Sequence, residues 1–157
     1  VSWRYALAYP DRVEGLILID AAGAPLREGE SAPPLNLGFR LLRNPMLRPL
    51  ISQITPRSLV EKSLQDTVYD PAIVDDRMVD RYWELLRFPG NRRASAVRAL
   101  SDREPEYFDR ITEIAAPTLL LWGAEDKLIY ASAATTFAER MPNAQIVVLE
   151  NVGHLPM

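Results

Sequence analysis

The sequence has 157 residues, 48% hydrophobic and 25% charged, with a formal net charge of −3. These values are typical of one ordinary globular domain. The small acidic charge argues against a nucleic-acid surface, and no apolar stretch reaches the roughly 18 residues of a transmembrane helix. Because the chain has no cysteine and one histidine, disulfides and thiolate chemistry are excluded and a transition-metal site is disfavoured. We expect no cofactor and no metal.

The first 26 residues predict one helix and one strand. Residues 2–9 predict the end of a helix, because the residue before Pro10 is disfavoured in the helical conformation. Residues 15–20 are nearly all apolar, which is typical of a strand buried on both faces of a parallel sheet. Asp20 then lies at the C-terminal end of that strand, and a loop with three prolines follows over residues 21–34.

The middle of the chain, residues 35–102, predicts helices throughout. Two pairs, Thr55-Pro56 and Asp70-Pro71, each predict an N-cap followed by the first turn of a helix. The second pair is expected to open one longer helix, which the turn residues at 88–91 end. We therefore predict an all-helical insertion between the first strand and the rest of the sheet.

The last part of the chain predicts a strand, a helix and a second strand, at about 118–122, 131–140 and 145–149. Asp126 follows the first of these strands, and His154 follows the second. A β-helix-β unit with parallel strands brings both C-terminal ends to one edge of the sheet, where open α/β sheets bind their ligands. An acid that orients a histidine, and a histidine that moves a proton, are two members of a hydrolytic triad.

The predicted fold class is α/β, with about three parallel strands, flanking helices and a helical insertion. The predicted division is residues 1–26 for the start of the α/β core, 27–102 for the insertion and 103–157 for the rest of the core. The first strand is expected to leave a bare apolar edge, which is an aggregation hazard unless another strand pairs with it.

These segments resemble the C-terminal half of an α/β-hydrolase-fold enzyme, over nearly the whole chain. Residues 2–23 are similar to the helix behind the nucleophile and the sixth strand of that family, and the helical insertion takes the place of its cap domain. Residues 117–129 resemble the seventh strand and the acid loop, and residues 145–156 resemble the eighth strand and the histidine loop. The order of acid before histidine also matches the family.

The resemblance implies that Asp126 is the triad acid and His154 the general base. Glu125, next to Asp126, is a competitor for the acid role. Asp20 is a second alternative, because some members of the fold, including certain dehalogenases, carry the acid there; a strand-end role is the other interpretation. Four residues are candidates for a substrate pocket, although helical spacing also suits three of them to packing: Met78, Trp83, Phe88 and Leu155.

The nucleophile elbow of the family, Gly-x-Ser-x-Gly, is absent from around all eight serines of the sequence. The oxyanion hole, which uses the amide that follows the nucleophile, is missing with it. We therefore expect a fragment of an enzyme whose first half holds the nucleophile, and we expect this chain alone to be inactive.

The resemblance implies a serine hydrolase that cleaves carboxylic esters or related acyl bonds in small molecules. Carbon-carbon bond hydrolases of ring-cleavage products are an alternative, since residues 16–23 resemble theirs, although those enzymes commonly have tryptophan where this chain has Leu155. Dehalogenases and epoxide hydrolases of the same fold, which use an aspartate nucleophile, are another alternative. A non-catalytic interaction protein is an alternative of a different class.

The expected partner is a small-molecule substrate, with no nucleic acid and no membrane span. The lack of cysteine fits a reducing compartment, and we expect the cytoplasm. The sequence leaves the oligomeric state open.

Overall fold

The computed structural model describes residues 2–34, 40–41, 44–47, 49, 54–100 and 105–156. The chain forms two compact units, the first comprising residues 1–33 and 103–157 and the second residues 34–102. The first junction lies after Pro33, whereas the sequence predicts it after residue 26. Parts of the predicted helical insertion, including residues 35–39 and 50–53, lie outside the described residues.

The first unit contains a sheet of three parallel strands, as the sequence predicts. The strands are β1 (Leu16–Ile19), β2 (Thr118–Gly123) and β3 (Ala144–Leu149), arranged in the order β1-β2-β3. Leu16 lies opposite Thr118, and Thr118 lies opposite Ala144. Because the strands run in the same direction, their C-terminal ends lie along one edge.

Helices cover one face of this sheet. Leu16 and Leu18 of β1 are buried in a core shared with the helices Ser2–Ala8 and Ser132–Ala138. Ile17, on the opposite face, is 62% exposed. The expectation that β1 is buried on both faces is therefore wrong for this chain, because its core side chains and those of both helices lie on one side only. β3 lies at the other edge of the sheet and exposes apolar residues on both faces, Ile146 and Val148 on one and Val147 on the other.

Aromatic rings form the centre of the buried face. Phe137 of the helix Ser132–Ala138 makes an edge-to-face contact with Phe108 at 5.2 Å between centroids and a tilted contact with Trp122 at 6.2 Å. Both partners are buried, as is Ile111 of the short 3₁₀ turn Arg110–Glu113, which follows the helix Pro105–Asp109. The indole N–H of Trp122 donates to the carbonyl of Ile129 at 2.9 Å. This bond ties the loop after β2 to the core.

The second unit contains the helices Arg57–Thr67, Asp76–Arg87 and Asn91–Leu100 among its described residues. A small core of Val60, Leu64 and Val79 joins the first two helices. Arg57 also bridges them on the exposed side, where its Nε lies 2.6 Å from Asp80. Exposed ion pairs of this kind add little to stability, so the apolar contacts dominate.

Two predicted helix starts in this unit are wrong. Asp70 accepts a hydrogen bond from the amide of Ala72 at 2.9 Å, but it caps only the 3₁₀ turn Pro71–Ile73. The longer helix begins after Asp75, whose carboxylate accepts from the amide of Met78 at 2.7 Å. Pro56 occupies the N-cap position of the helix Arg57–Thr67, where no side chain provides a capping hydrogen bond. Asp75, and not Asp70, is therefore the N-cap residue of the longer helix.

Among the described helices, none combines the length and the apolar character needed to cross a membrane.

We predict that Ile111→Ala destabilises the first unit far more than Ile17→Ala. Ile111 is fully buried in the core, whereas Ile17 faces solvent. The first change should lower the free energy of unfolding by about 2–5 kcal/mol because it leaves a cavity, and the second by about 1 kcal/mol or less. Urea denaturation of both variants measures the difference. Equal losses would contradict the assignment of the core to one face of the sheet.

Candidate active site

The C-terminal edge of the sheet brings three segments of the chain together. Asp20 directly follows β1, the loop 124–130 follows β2, and the loop 150–156 follows β3. We call the second segment the acid loop and the third the histidine loop. The sequence predicts that Asp126 and His154 meet here, and the structure brings them together.

A short hydrogen bond joins the acid loop to the histidine loop. Nδ1 of His154 lies 2.7 Å from Oδ2 of Asp126. The side chain of Asp126 is fully buried, whereas 25% of the His154 side chain remains exposed. When the Nδ1 proton is donated to Asp126, Nε2 is left as a free acceptor. The pair therefore has the arrangement of an oriented general base.

The second oxygen of Asp126 shapes the acid loop. Oδ1 accepts hydrogen bonds from the amides of Leu128 and Ile129, at 2.7 and 3.0 Å. The local turn role that aspartate often has, and the role of partner to histidine, are thus filled by the two oxygens of one carboxylate. Because the backbone amides fix the carboxylate, the imidazole meets a partner that is already oriented.

Glu125, the competitor for the acid role, binds backbone instead of the imidazole. Its Oε2 accepts from the amide of Val152 at 2.9 Å. Its own amide donates to the carbonyl of Val152 at 3.0 Å. These two bonds fasten the acid loop to the histidine loop, and they leave Asp126 as the acid at the histidine.

Gly123, the last residue of β2, is the tightest point of the site. A Cβ atom at this position would overlap the carbonyl oxygens of Val152 and Gly153. The amide of Gly123 also donates to Oδ1 of Asp20 at 3.1 Å. One residue without a side chain therefore contacts both neighbouring segments. Sequence reasoning missed this role, although a glycine at the end of a buried strand is a signal of close backbone approach.

Asp20 lies closer to the histidine pair than its strand-end position alone suggests. It is 5% exposed, and one ligand atom from each of Asp20, Asp126 and His154 falls within 4.8 Å of the others. Its φ of 42° is in the left-handed region, which aspartate tolerates better than most residues. Oδ2 is buried and has no hydrogen-bond partner among the described residues.

The electrostatics of the site follow from these contacts. The pKa of the Asp20 carboxyl is raised from 3.8 to about 6, chiefly by burial and also by the charge of Asp126. The hydrogen bond from the Gly123 amide and the charge of His154 oppose this rise. The hydrogen bond to Asp126 raises the pKa of His154, against the opposing effect of burial, and the charges of Asp126 and Asp20 add to the rise. These contacts therefore strengthen the imidazole as a proton acceptor.

Among the described residues, these three side chains place their ligand atoms close enough together to hold a cation. Nδ1 of His154 and Oδ2 of Asp126 already share a hydrogen bond. A cation held by those two atoms would have to displace that bond. The expectation of no metal stays a prediction.

The predicted pocket residues lie in both units. Met78 and Trp83 are partly buried against the small helical core, and the indole N–H of Trp83 donates to the carbonyl of Thr55 at 2.8 Å. Phe88 is 61% exposed. Leu155, directly after the histidine, is partly exposed. A pocket role for these four residues stays a prediction.

Comparison with known proteins places this geometry in a family. A sequence profile described as the alpha/beta hydrolase family matches residues 1–157. The chain belongs to the alpha/beta hydrolase family. The predicted family and fold class are confirmed.

Relatives of this alpha/beta hydrolase chain are enzymes of two kinds. A 2-hydroxy-6-oxononadienedioate/2-hydroxy-6-oxononatrienedioate hydrolase from Burkholderia vietnamiensis is 27% identical over 154 residues, covering 96% of this chain and 50% of the relative. Lipase 3 of a Moraxella species is 28% identical over 162 residues, covering 100% of this chain and 47% of the relative. The chain spans about half the length of the curated relatives it matches.

Solved structures share the fold. A meta-cleavage product hydrolase from Pseudomonas fluorescens has a TM-score of 0.68 and 20% sequence identity, covering 97% of this chain and 53% of that one. The likeness shows that the three strands and their helices have the arrangement of an alpha/beta hydrolase. The roles of individual site residues do not follow from it.

We predict that Gly123→Ala distorts the site. The added methyl group overlaps two backbone carbonyls, so the histidine loop must move, at about 1–3 kcal/mol in the free energy of unfolding. Gly15→Ala is the matched control, because the nearest atom to its Cβ would be the carbonyl oxygen of Pro117 at 3.7 Å. Urea denaturation measures both variants. If Gly123→Ala is as stable as Gly15→Ala, the tight junction does not exist.

We also predict that Asp20→Asn changes how stability depends on pH. Between 3.8 and about 6 the folded chain holds a proton on Asp20 that the unfolded chain has released, so the free energy of unfolding falls as pH rises. Asparagine does not titrate. Relative to the unmodified chain, the variant should therefore gain up to about 3 kcal/mol between pH 4 and pH 7.

Urea denaturation at both pH values tests this gain. A constant difference between the two pH values would contradict it. Glu139→Gln is the control, because Glu139 is an exposed acid that pairs with Arg27. It should show no comparable gain.

Proposed function

We propose that this chain supplies the acid and the base of a serine hydrolase site, with Asp126 as the acid and His154 as the base. The observation that carries the proposal is the 2.7 Å hydrogen bond between a buried carboxylate and a partly exposed imidazole at the C-terminal edge of the sheet. The whole protein would cleave carboxylic esters or related acyl bonds in small molecules, in the cytoplasm.

In the proposed reaction, His154 moves one proton in each of two half-reactions. Nε2 takes the proton from the nucleophile hydroxyl as the oxygen attacks the substrate carbonyl, and it then gives that proton to the leaving group. Water repeats the sequence to release the acid product. Asp126 accepts the hydrogen bond from the Nδ1–H group and stabilises the imidazolium in both half-reactions. No Gly-x-Ser-x-Gly occurs in these 157 residues, so we propose that the nucleophile belongs to another segment.

Hydrolysis of a carbon-carbon bond in a ring-cleavage product is the second candidate. It is favoured by the relative from Burkholderia vietnamiensis, which is named as a hydrolase of 2-hydroxy-6-oxononadienedioate. The same acid and base would serve, since both reactions proceed through attack on a carbonyl carbon and then protonation of the leaving group. The lipase relative supports the ester candidate to a similar degree of identity. Assays with both kinds of substrate therefore distinguish the two candidates.

We predict that the whole protein hydrolyses p-nitrophenyl butyrate, or a 2-hydroxy-6-oxo-dienoate, and that both site residues are required. His154→Ala should lower kcat by about 10⁴-fold or more, and Asp126→Asn by about 10³- to 10⁴-fold, because the second leaves the imidazole in the wrong tautomer. Glu139→Gln should retain activity. Absorbance assays of p-nitrophenolate release and of dienoate loss measure these effects.

Two outcomes would contradict the proposal. If the 157-residue chain alone hydrolyses the ester and its His154→Ala variant does not, the nucleophile is not elsewhere. If the whole protein cleaves neither substrate class and its elbow position holds no nucleophile, a non-catalytic interaction protein is the better interpretation.

A further inference from the structure

Asp20 is a buried titratable group that the proposed mechanism leaves without a role. One oxygen of its carboxylate accepts from the Gly123 amide at 3.1 Å, and the other is buried without a partner among the described residues. Burial of an uncompensated carboxylate is unfavourable, and asparagine would accept the same amide hydrogen bond without a charge. The charge itself therefore needs an explanation.

Resting on the proposed function, we propose that Asp20 is a positioning residue of the Asp126–His154 pair. Its Oδ1 fixes the start of the acid loop through Gly123, and its negative charge supports the imidazolium that forms when His154 takes a proton. Asp20 does not replace Asp126 as the acid, because Nδ1 of His154 is already bound to Asp126.

The backbone at Asp20 supports this assignment. Its amide donates to the carbonyl of Leu121 at 3.0 Å, which continues the pairing of β1 with β2. The left-handed φ of 42° then ends the strand and turns the side chain back toward Gly123. A non-glycine residue in this conformation carries strain that the surrounding contacts must hold in place.

The charges around His154 come from each segment at this edge. Asp126 in the acid loop and Asp20 after β1 both act on the imidazole. Glu125 is held by the Val152 amide, while Lys127 of the acid loop and Glu150 of the histidine loop are exposed. Exposed charges are screened by water and salt. Asp20 is thus the second buried charge that the described residues place beside the histidine.

The consequence is a base whose strength depends on two carboxylates. When Asp20 is ionised, it raises the pKa of His154 together with Asp126. As the pH falls through about 6, Asp20 becomes neutral and this contribution is lost. In Asp20→Asn the contribution is absent at every pH, while the acceptor for the Gly123 amide remains.

The experiment is an NMR titration of the imidazole in the 157-residue chain, which contains a single histidine and so gives an unambiguous signal. In Asp20→Asn the titration midpoint of His154 should move to lower pH than in the unmodified chain. In Glu139→Gln, which removes one exposed acid from the same unit, the midpoint should stay in place. Asp126→Asn should lower the midpoint further, since the Asp126 hydrogen bond is the largest cause of the rise.

Asp20→Ala separates the two parts of the role. It should lower the midpoint as asparagine does and, in addition, expose the Gly123 amide to faster hydrogen exchange, which asparagine should not. A folded Asp20→Asn variant whose His154 midpoint is unchanged or higher overturns the proposal. Equal exchange of the Gly123 amide in the alanine and asparagine variants overturns the positioning part.

A measurement without any substitution covers the case in which the variants do not fold. Carbon-13 titration of the Asp20 carboxyl in the unmodified chain should show a raised midpoint near 6, and the imidazole signals of His154 should respond over the same pH range. Titration of Asp20 without any response of the His154 signals overturns the proposal. Neither titration needs catalysis. Loss of the proposed hydrolase activity with normal titrations would therefore remove the proposed function and leave the electrostatic coupling intact.

Discussion

The site depends on one geometric constraint, which is that β2 and β3 end side by side and in the same direction. Gly123 lies opposite Leu149 in the register, so the acid loop and the histidine loop leave the sheet as neighbours. Backbone bonds between Glu125 and Val152 then hold the two loops together. The hydrogen bond from His154 to Asp126 is the last contact in this series and needs no further adjustment of the chain. The geometry of the candidate site is here a product of strand pairing.

Burial of carboxylates at this edge of the sheet changes their affinity for protons, and it also lowers the stability of the fold. Asp126 accepts hydrogen bonds from two backbone amides, and its other oxygen lies in hydrogen-bond contact with the imidazole. Asp20 receives one amide and keeps an unpaired oxygen. The difference explains why the pKa of Asp20 rises to about 6, since a carboxylate removed from water needs several donors to remain charged. Asp20 combines a left-handed backbone conformation with a buried oxygen that lacks a hydrogen-bond partner among the described residues, and packing alone would not favour this combination beside His154.

The parts of the molecule that could be predicted from the sequence are those set by nearby residues. The β-helix-β unit from Thr118 to Leu149 has a clear pattern, and it was enough to bring Asp126 and His154 together. Interactions between distant residues could not be predicted in this way: the bond from Gly123 to Asp20 spans 103 residues. Local competition was also missed, as at Asp70 and Asp75, where both residues cap but only the second begins the helix. The one-sided burial of β1 depends on which helices the chain provides, and apolar composition alone does not report it.

The candidate acid and base lie close together along the chain. Asp126 and His154 are 28 residues apart, and the hydrogen bonds of the acid and histidine loops described above all lie between Thr118 and Leu155, apart from the bond from Gly123 to Asp20. The acid loop and the histidine loop, with the elements that join them, therefore form a nearly self-contained module. A protein built on it can exchange its attacking group, its entrance or its specificity elsewhere while this module remains unaltered. Under the proposed role of Asp20, this residue is the point at which β1 still affects the pKa of His154.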